Sequence, residues 1–354
     1  MECDRDDTRP LAILPVVAVD IDEAAAEDEP SLDAGVFDAA VEDIGVRVDV
    51  ALARRLHDRC TRTQVQQAIR AGAVLVAGRA AKPSHKLRAG ERVDFRLPRD
   101  TGPLVPPEDI PLAILHEDEL FVVIDKPPRL VVHPSRGHRT GTLANALVHH
   151  FVRLSDPGDP LRPGILHRLD RDTSGVIVVA KDTFAHLRLA RQWEDRTVAK
   201  EYLALVEGAP DLDAGEVDLA IARHPRHRER MAVDPAGRAA MTRWRVQRRF
   251  AGFTLVECHP RTGRTHQIRV HLHALACPIL CDALYGRRER VTASELAGRS
   301  PVEGEPPVLD RQALHAHAIE LDHPATGKRM RFEAPLPHDF AAALGVLASG
   351  AVSG

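Results

Sequence analysis

Residues 164–175, GILHRLDRDTSG, set four charged side chains and a histidine directly before the five apolar residues 176–180, VIVVA. A continuous apolar run of that length reads as a strand covered on both faces, so the chain must build layers around it. The charged loop then sits at the entrance to that strand. A core has little use for a His-Arg-x-Asp cluster, because charge taken out of water is costly unless each group is paired. The loop therefore reads as a site. Asp170 is an acid with arginine beside it, the arrangement that keeps a carboxylate ionised for work as nucleophile or base.

Charge is segregated along the 354 residues, and the net value of -3 conceals it. Residues 1–45 hold fourteen acids and two bases, residues 46–98 hold twelve bases and four acids, and the remainder is close to neutral. A polyanion is drawn to the second segment and repelled by the first. The five cysteines have no paired spacing, which points to a reducing compartment, and no apolar run reaches membrane-spanning length. The expectation is a soluble cytoplasmic protein without a membrane partner.

Five segments follow from the pattern. Residues 1–45 read as an acidic, disordered arm. From Val46, Asp49 is placed to cap a helix carrying Leu52 and Leu56, and Thr61 or Thr63 to cap a second with Val65 and Ile69 inward. Gly72 ends that helix, and Val74 and Val76 form a strand before a turn at Gly78. Arg54, Arg55, Arg59, Arg62 and Arg70 fall on the polar faces, and too few acids share the segment to pair them all, so residues 46–98 suit a phosphate backbone. Four prolines make residues 99–111 a semi-rigid linker. Residues 112–345 form the main domain: strands around Leu112 and Leu120, a helix after Thr142, the strand at Val176, and a helix from Asp182 or Thr183 with Phe184, Leu187 and Trp193 inward. Residues 346–354 read as a tail, and the stretch between Gly286 and Leu314 as an exposed loop. The fold class is α+β, a small helix-helix-sheet domain followed by a mainly antiparallel mixed sheet with a central cleft.

The run HRLDRDTSG resembles the signature of the RluA-type pseudouridine synthases. KEYLALV at residues 200–206, RTGRTHQIRVH at 261–271 and the stretch from Leu314-His315-Ala316 to His323-Pro324 match the same family in the same order. RVDVALARRL, TRTQVQQAIRAGAVLVAG and LRAGERVDFRLP resemble the alpha-L RNA-binding module of a small-subunit ribosomal protein. The resemblance implies that Asp170 is the catalytic carboxylate, Arg269 its basic partner and Tyr202 the aromatic that packs on the target base. It also makes Arg168 the side chain that fills the space of an extruded base, although pairing with Asp170 alone remains open. His167, Arg264, Thr265, His266 and Gln267 are then substrate-binding.

Isomerising uridine breaks one bond from ring nitrogen to sugar carbon and makes one from ring carbon, with no redox change, so neither cofactor nor metal is required. Histidines 266, 271 and 273 lack the spacing of a zinc helix, and Cys277 and Cys281 read as packing residues. Where related proteins have Asn-Lys-Pro and Gly-Asp, this chain has Asp125-Lys126-Pro127 and Cys281-Asp282, departures expected to leave the catalytic set untouched. The run from Arg223 to Val233 is most like the RluD-like branch, which implies large-subunit ribosomal RNA and assembly intermediates as partners, and a monomer. The alternatives are a transfer-RNA synthase, a non-catalytic RNA-binding assembly factor, and a nucleoside hydrolase with Asp172 as second acid.

Overall fold

The computed structural model describes residues 32–56, 62–98, 105–134, 139–152, 154–155, 161–300 and 302–350. The described chain forms two compact units, one of residues 32–49 and 65–98 and the other of residues 50–56, 62–64 and 105–350, with the divisions inside the first two helices.

The first unit, taken with the 50–64 stretch that interrupts it in sequence, holds β1 (Leu32–Asp38), α1 (Val48–Arg55), α2 (Arg62–Arg70), β2 (Val74–Val76), β3 (Arg79–Ala80) and β4 (Arg92–Pro98). Its sheet runs β1-β4-β2-β3. Gly72 takes the left-handed conformation at φ +79 and stops α2, as its position predicts. Asp49 is no cap: it lies inside α1, fully buried, and accepts hydrogen bonds from Arg47 and Gln66. Disorder to residue 45 is corrected from Leu32 onward. Strand β4 is paired by β2 over three residues only, and β1 pairs its other edge along all seven. Backbone groups on an open edge are reason enough for the pairing, whatever the acidity of the added strand. Residues 1–31 lie outside the described residues.

The second unit holds thirteen strands among the described residues, nine of them in one sheet. In chain order they come with their helices as β5 (Ala113–Glu117), β6 (Phe121–Lys126), α3 (Leu143–His150), β7 (Ser174–Ala180), α4 (Thr183–Glu194), β8 (Ala199–Glu207), β9 (Ala214–Asp218), β10 (Ile221–Arg223), β11 (Met231–Val233), β12 (Met241–Phe250), β13 (Phe253–Pro260), α5 (Gln267–Ala274), β14 (Val291–Thr292), α6 (Ala293–Leu296), β15 (Pro307–Leu309), β16 (Leu314–Asp322), β17 (Arg329–Glu333) and α7 (His338–Gly350). The main sheet runs β5-β6-β7-β16-β8-β13-β12-β9, with β17 also on β16, while β10-β11 and β14-β15 form small separate pairs. Only β7 and β16 pair in parallel, at His315 and Ala316, so the sheet is mainly antiparallel.

Strand β7 is buried at all seven residues. Val122, Ile124, Ile177 and Val179 pack one face against Leu143 and Leu147 of α3, and Phe121, Val176 and Val178 pack the other against Ala185 and Leu189 of α4. Gly175 permits the crossing with β16: its φ is +110, and a Cβ would lie 2.1 Å from the Ala316 oxygen. A third cluster joins β8 and β13 to α5 and to Phe340, Ala343 and Leu347 of α7.

Four sequence expectations are revised here. Thr142 and Asp182 do cap α3 and α4, but Phe184 and Leu187 are exposed. The inward stripe of α4 is Ala185 and Leu189, four residues apart, where a small side chain lets the helix approach β7. Residues 105–111 are packed as well as linking: Val105 is buried, and Asn145 of α3 donates to the Pro106 carbonyl. The 287–313 stretch carries β14, α6 and β15 and buries Val291, Leu296 and Leu309. Helix α7 continues to residue 350 because Leu347 is buried, which shortens the expected tail.

Candidate active site

The signature loop turns from Asp170 into β7, with the Thr173 amide donating to the Asp170 carbonyl. Lys126, at the end of β6, is fully buried beneath it. The ammonium donates to the carbonyls of Pro127, Leu130 and Arg171, three acceptors for three protons. Burial pulls this lysine down to about 7, and the charges of Asp172, Asp170 and Asp125 oppose that pull. Arg311 donates to the Asp172 carbonyl and grips Asp339 of α7 through two nitrogens, at 2.6 and 2.8 Å. Gln312 donates to the Thr173 hydroxyl, and Ser174 bonds His315. Every turn of the loop is therefore held from below.

Asp170 itself is partly open, with 21% of its side chain exposed. Its Oδ2 accepts from Arg269 Nη1 at 3.0 Å, while Oδ1 has no hydrogen bond among the described residues. Arg269, in α5, is also bidentate to the fully buried Asp282, with both nitrogens at 2.7 Å. The two carboxylates hold the guanidinium above its ordinary pKa despite burial. Its face lies 5.1 Å from the Tyr285 ring centroid. The Tyr285 hydroxyl accepts from the Met231 amide and shares a hydrogen bond of 2.9 Å with His266 Nδ1. Nε2 of the same ring stands 4.0 Å from Asp170 Oδ2. Burial lowers the pKa of His266. The residue holds a left-handed backbone at φ +56, strain that is kept at the first turn of α5.

Opening from Asp170 is a cleft of about 450 Å³ lined by the signature loop, Trp193, Arg196, Lys200, Tyr202 and residues 260–269. That volume lies in the range of small-ligand sites. Lys200 and Tyr202 stand two apart on β8 and so share one face of it. Burial first, and then the Asp170 charge, push the Tyr202 phenol well above its ordinary pKa, so it stays protonated. Arg196, Arg238 and Arg264 approach one another: Arg264 donates to the Ala239 carbonyl, beside Arg238, and its pKa is lowered by burial and then by the other two. None of the three has an acidic partner among the described residues.

Comparison with known proteins agrees with the site. Residues 120–274 match the RNA pseudouridylate synthase family model and residues 46–93 the S4 domain. An uncharacterised RNA pseudouridine synthase of Bacillus subtilis is 41% identical over 303 residues, 86% of this chain and 94% of its own. The ribosomal large subunit pseudouridine synthase D of Xanthomonas campestris is 42% identical over 310 residues, 87% and 91% respectively. The chain belongs to the RNA pseudouridine synthases. Among solved structures it is similar to human RNA pseudouridylate synthase domain containing 4, with a TM-score of 0.51, 28% identity and coverage of 67% of this chain and 93% of that one.

Within this synthase the expected site residues divide. Asp170, Tyr202, Arg269, Arg168, Arg264, Thr265 and His266 all line the cleft. Arg168 has no ion pair among the described residues, so pairing with Asp170 falls to Arg269 alone. His167 and Gln267 also border the cleft, but their polar atoms are committed to the fold. His167 Nε2 accepts from the Val178 amide, where β7 has left β16, its ring stacks on Trp193 at 5.0 Å, and burial drives it down to about 3. Gln267 bonds Thr262, Arg264, Met241 and Thr242, and so ties the 261–267 loop to β12. Asp172 is paired with Arg171 and is not among the cleft residues, so it is not placed as the second acid that a hydrolase needs.

The sequence reading missed Lys126, Asp282, Tyr285 and Arg311. Asp282, which anchors Arg269, and Lys126, which supports the loop, are the residues these two motifs keep; the departures are their neighbours Cys281 and Asp125. Cys281 takes φ +58, a conformation that glycine enters without strain, and its thiol is buried. Of the arginines expected to bind RNA, Arg54, Arg55 and Arg70 are exposed, Arg62 begins α2, and Arg59 lies outside the described residues. Also among the described residues, no group of three or more His, Cys, Asp or Glu could hold a metal, and no helix is long and apolar enough to cross a membrane.

Proposed function

We propose that this synthase converts uridines of large-subunit ribosomal RNA to pseudouridine, with Asp170 as the catalytic carboxylate. One observation carries the assignment: Asp170 has one oxygen fixed by a buried arginine and the other unoccupied beside a cleft of nucleotide size. A carboxylate so held is oriented before substrate arrives, and the reaction needs little else from the protein but position and charge. The target uridine leaves its stack, at a cost of about a few kcal/mol that protein contacts offset. Arg168, exposed and without an ion pair, enters the vacated space, and Tyr202 packs on the base with its proton retained. Arg196, Arg238 and Arg264 bind the phosphates that flank it, which relieves their mutual repulsion.

Residues 46–98 serve as a separate RNA-binding module through Arg54, Arg55, Arg59, Arg62 and Arg70, and the catalytic domain extends from about 105 to 350. The ribosomal target is supported by relatives about 40% identical over most of the chain that are ribosomal large subunit pseudouridine synthases D. A cytoplasmic location follows from that target. Mapping pseudouridines in cellular RNA with and without the protein tests the reading. Large-subunit positions disappear in its absence; loss confined to transfer RNA overturns the target, and no loss anywhere overturns the activity.

A further inference from the structure

Lys200 stands apart from the other cations around the catalytic centre. Arg269 has two carboxylates and Lys126 three carbonyls, whereas Lys200 has no hydrogen bond and no ion pair among the described residues. It is nonetheless half-buried in the wall of the cleft, on the same face of β8 as Tyr202 and near the ring of His167. The His167 ring offers it nothing: Nε2 accepts from a backbone amide, so the proton is on the other nitrogen, and the stack on Trp193 fixes the plane. Glu201, the next residue, points its carboxylate instead to Arg331. An ammonium placed this way is a cost to the free enzyme, since a charge leaves water without a partner.

We propose that Lys200 receives an anionic oxygen of the extruded nucleotide and so acts directly on the substrate. The proposal rests on the synthase reading and deepens it. The reaction itself creates a need for such a cation. If Asp170 displaces the base at the sugar carbon, or removes a sugar proton, the electron pair of the breaking N–C bond departs with uracil and spreads over its two carbonyl oxygens. If Asp170 adds to the ring carbon next to nitrogen, the pair passes through the conjugated ring to a carbonyl oxygen. All three routes place negative charge on the pyrimidine, and the pair returns when the new carbon–carbon bond forms and the ring proton is lost. Asp170 and Tyr202 cannot neutralise that charge, one being anionic and the other held protonated. A phosphodiester oxygen of the same nucleotide presents the same chemistry, and experiment separates the two sources.

The test compares wild type, Lys200→Met, Lys200→Arg and Asp170→Asn on one large-subunit ribosomal RNA transcript, together with thermal melts of each protein. Lys200→Met removes the charge at nearly constant volume. The expected result is a melting temperature equal to or above wild type with pseudouridine formation reduced about 10²-fold, the scale of losing one donor to a developing oxyanion, and partial recovery in Lys200→Arg. A fall in kcat at unchanged salt dependence assigns the oxygen to uracil. A rise in KM, with the slope of log affinity against log salt shallower by about 0.7, assigns it to a single-stranded phosphate. Kinetics within twofold of wild type for Lys200→Met overturn the proposal and leave the synthase reading intact. A lowered melting temperature with activity lost equally in Lys200→Arg overturns it too, because the lysine is then structural. If wild type and Asp170→Asn alike form no product on any ribosomal RNA, the reading beneath it fails and takes the proposal with it.

Discussion

The two walls of the cleft handle charge in opposite ways. On the signature-loop side, Arg269 is shared by Asp170 and Asp282, Arg311 by Asp339 and two carbonyls, and Lys126 by three carbonyls. Elsewhere around the cleft Arg196, Lys200 and Arg264, with Arg238 close to Arg264, have no acidic partner among the described residues. Charges with partners inside the protein fix geometry before the substrate arrives, whereas charges without them raise the energy of the free enzyme and are stabilised by what binds. The difference separates positioning groups from binding groups more cleanly than residue type does, since both walls use arginine and lysine.

The comparison can be broken most directly at its centre. Asp170→Asn is expected to abolish pseudouridine formation while RNA affinity changes less than about threefold, because the phosphate contacts that dominate affinity lie elsewhere; product from this variant at even a hundredth of the wild-type rate would sink the role given to the carboxylate. Arg269→Met strands buried Asp282 as an unpaired charge and is expected to cost about 3–5 kcal/mol of stability, read as a fall in denaturant midpoint. A midpoint unchanged by that substitution would mean the two ion pairs do not organise the wall. Gly175→Ala drives a methyl group into the Ala316 carbonyl and is expected to destabilise by more than about 1–3 kcal/mol, the cost of a strained backbone alone.

On the other wall the expected signature reverses. Arg238→Ala leaves stability within about 0.5 kcal/mol of wild type but raises KM and makes RNA binding less sensitive to salt, by a slope of about 0.7–0.9 for one phosphate. A salt slope identical to wild type would remove this arginine from the phosphate contacts. The smallest effect belongs outside both walls. Leu187→Gln on the exposed face of α4 should shift stability by less than about 0.5 kcal/mol, and a larger loss in thermal melting would restore the inward orientation that the sequence pattern predicted.

Local sequence was enough for the elements whose signals are local. Thr142 and Asp182 cap their helices, Gly72 ends α2, and the unbroken apolar run at 176–180 becomes a strand covered on both faces. The pattern failed where large side chains competed with small ones: at α4 it chose Phe184 and Leu187, yet close packing on β7 selected Ala185 and Leu189. It failed again at β1, where acidic composition hid a strand that forms because an edge of β4 needs backbone partners. Of the site, motif resemblance pointed to Asp170, Tyr202 and Arg269, residues far apart in the chain, and the fold brings them to one cleft.

What the chain determined by itself is the chemistry available: one acid in a charged loop, a basic module ahead of it, and a run of arginines, one histidine and one glutamine before α5. What only the tertiary structure decided is which of those charges have partners. Asp282 reaches Arg269 across 13 residues and Asp170 reaches it across 99, while Arg311 reaches the signature loop across 139. Pairing over such separations depends on sheet order and helix packing, which no local pattern encodes. The same long-range packing that gives Arg269 two carboxylates gives Lys200 none.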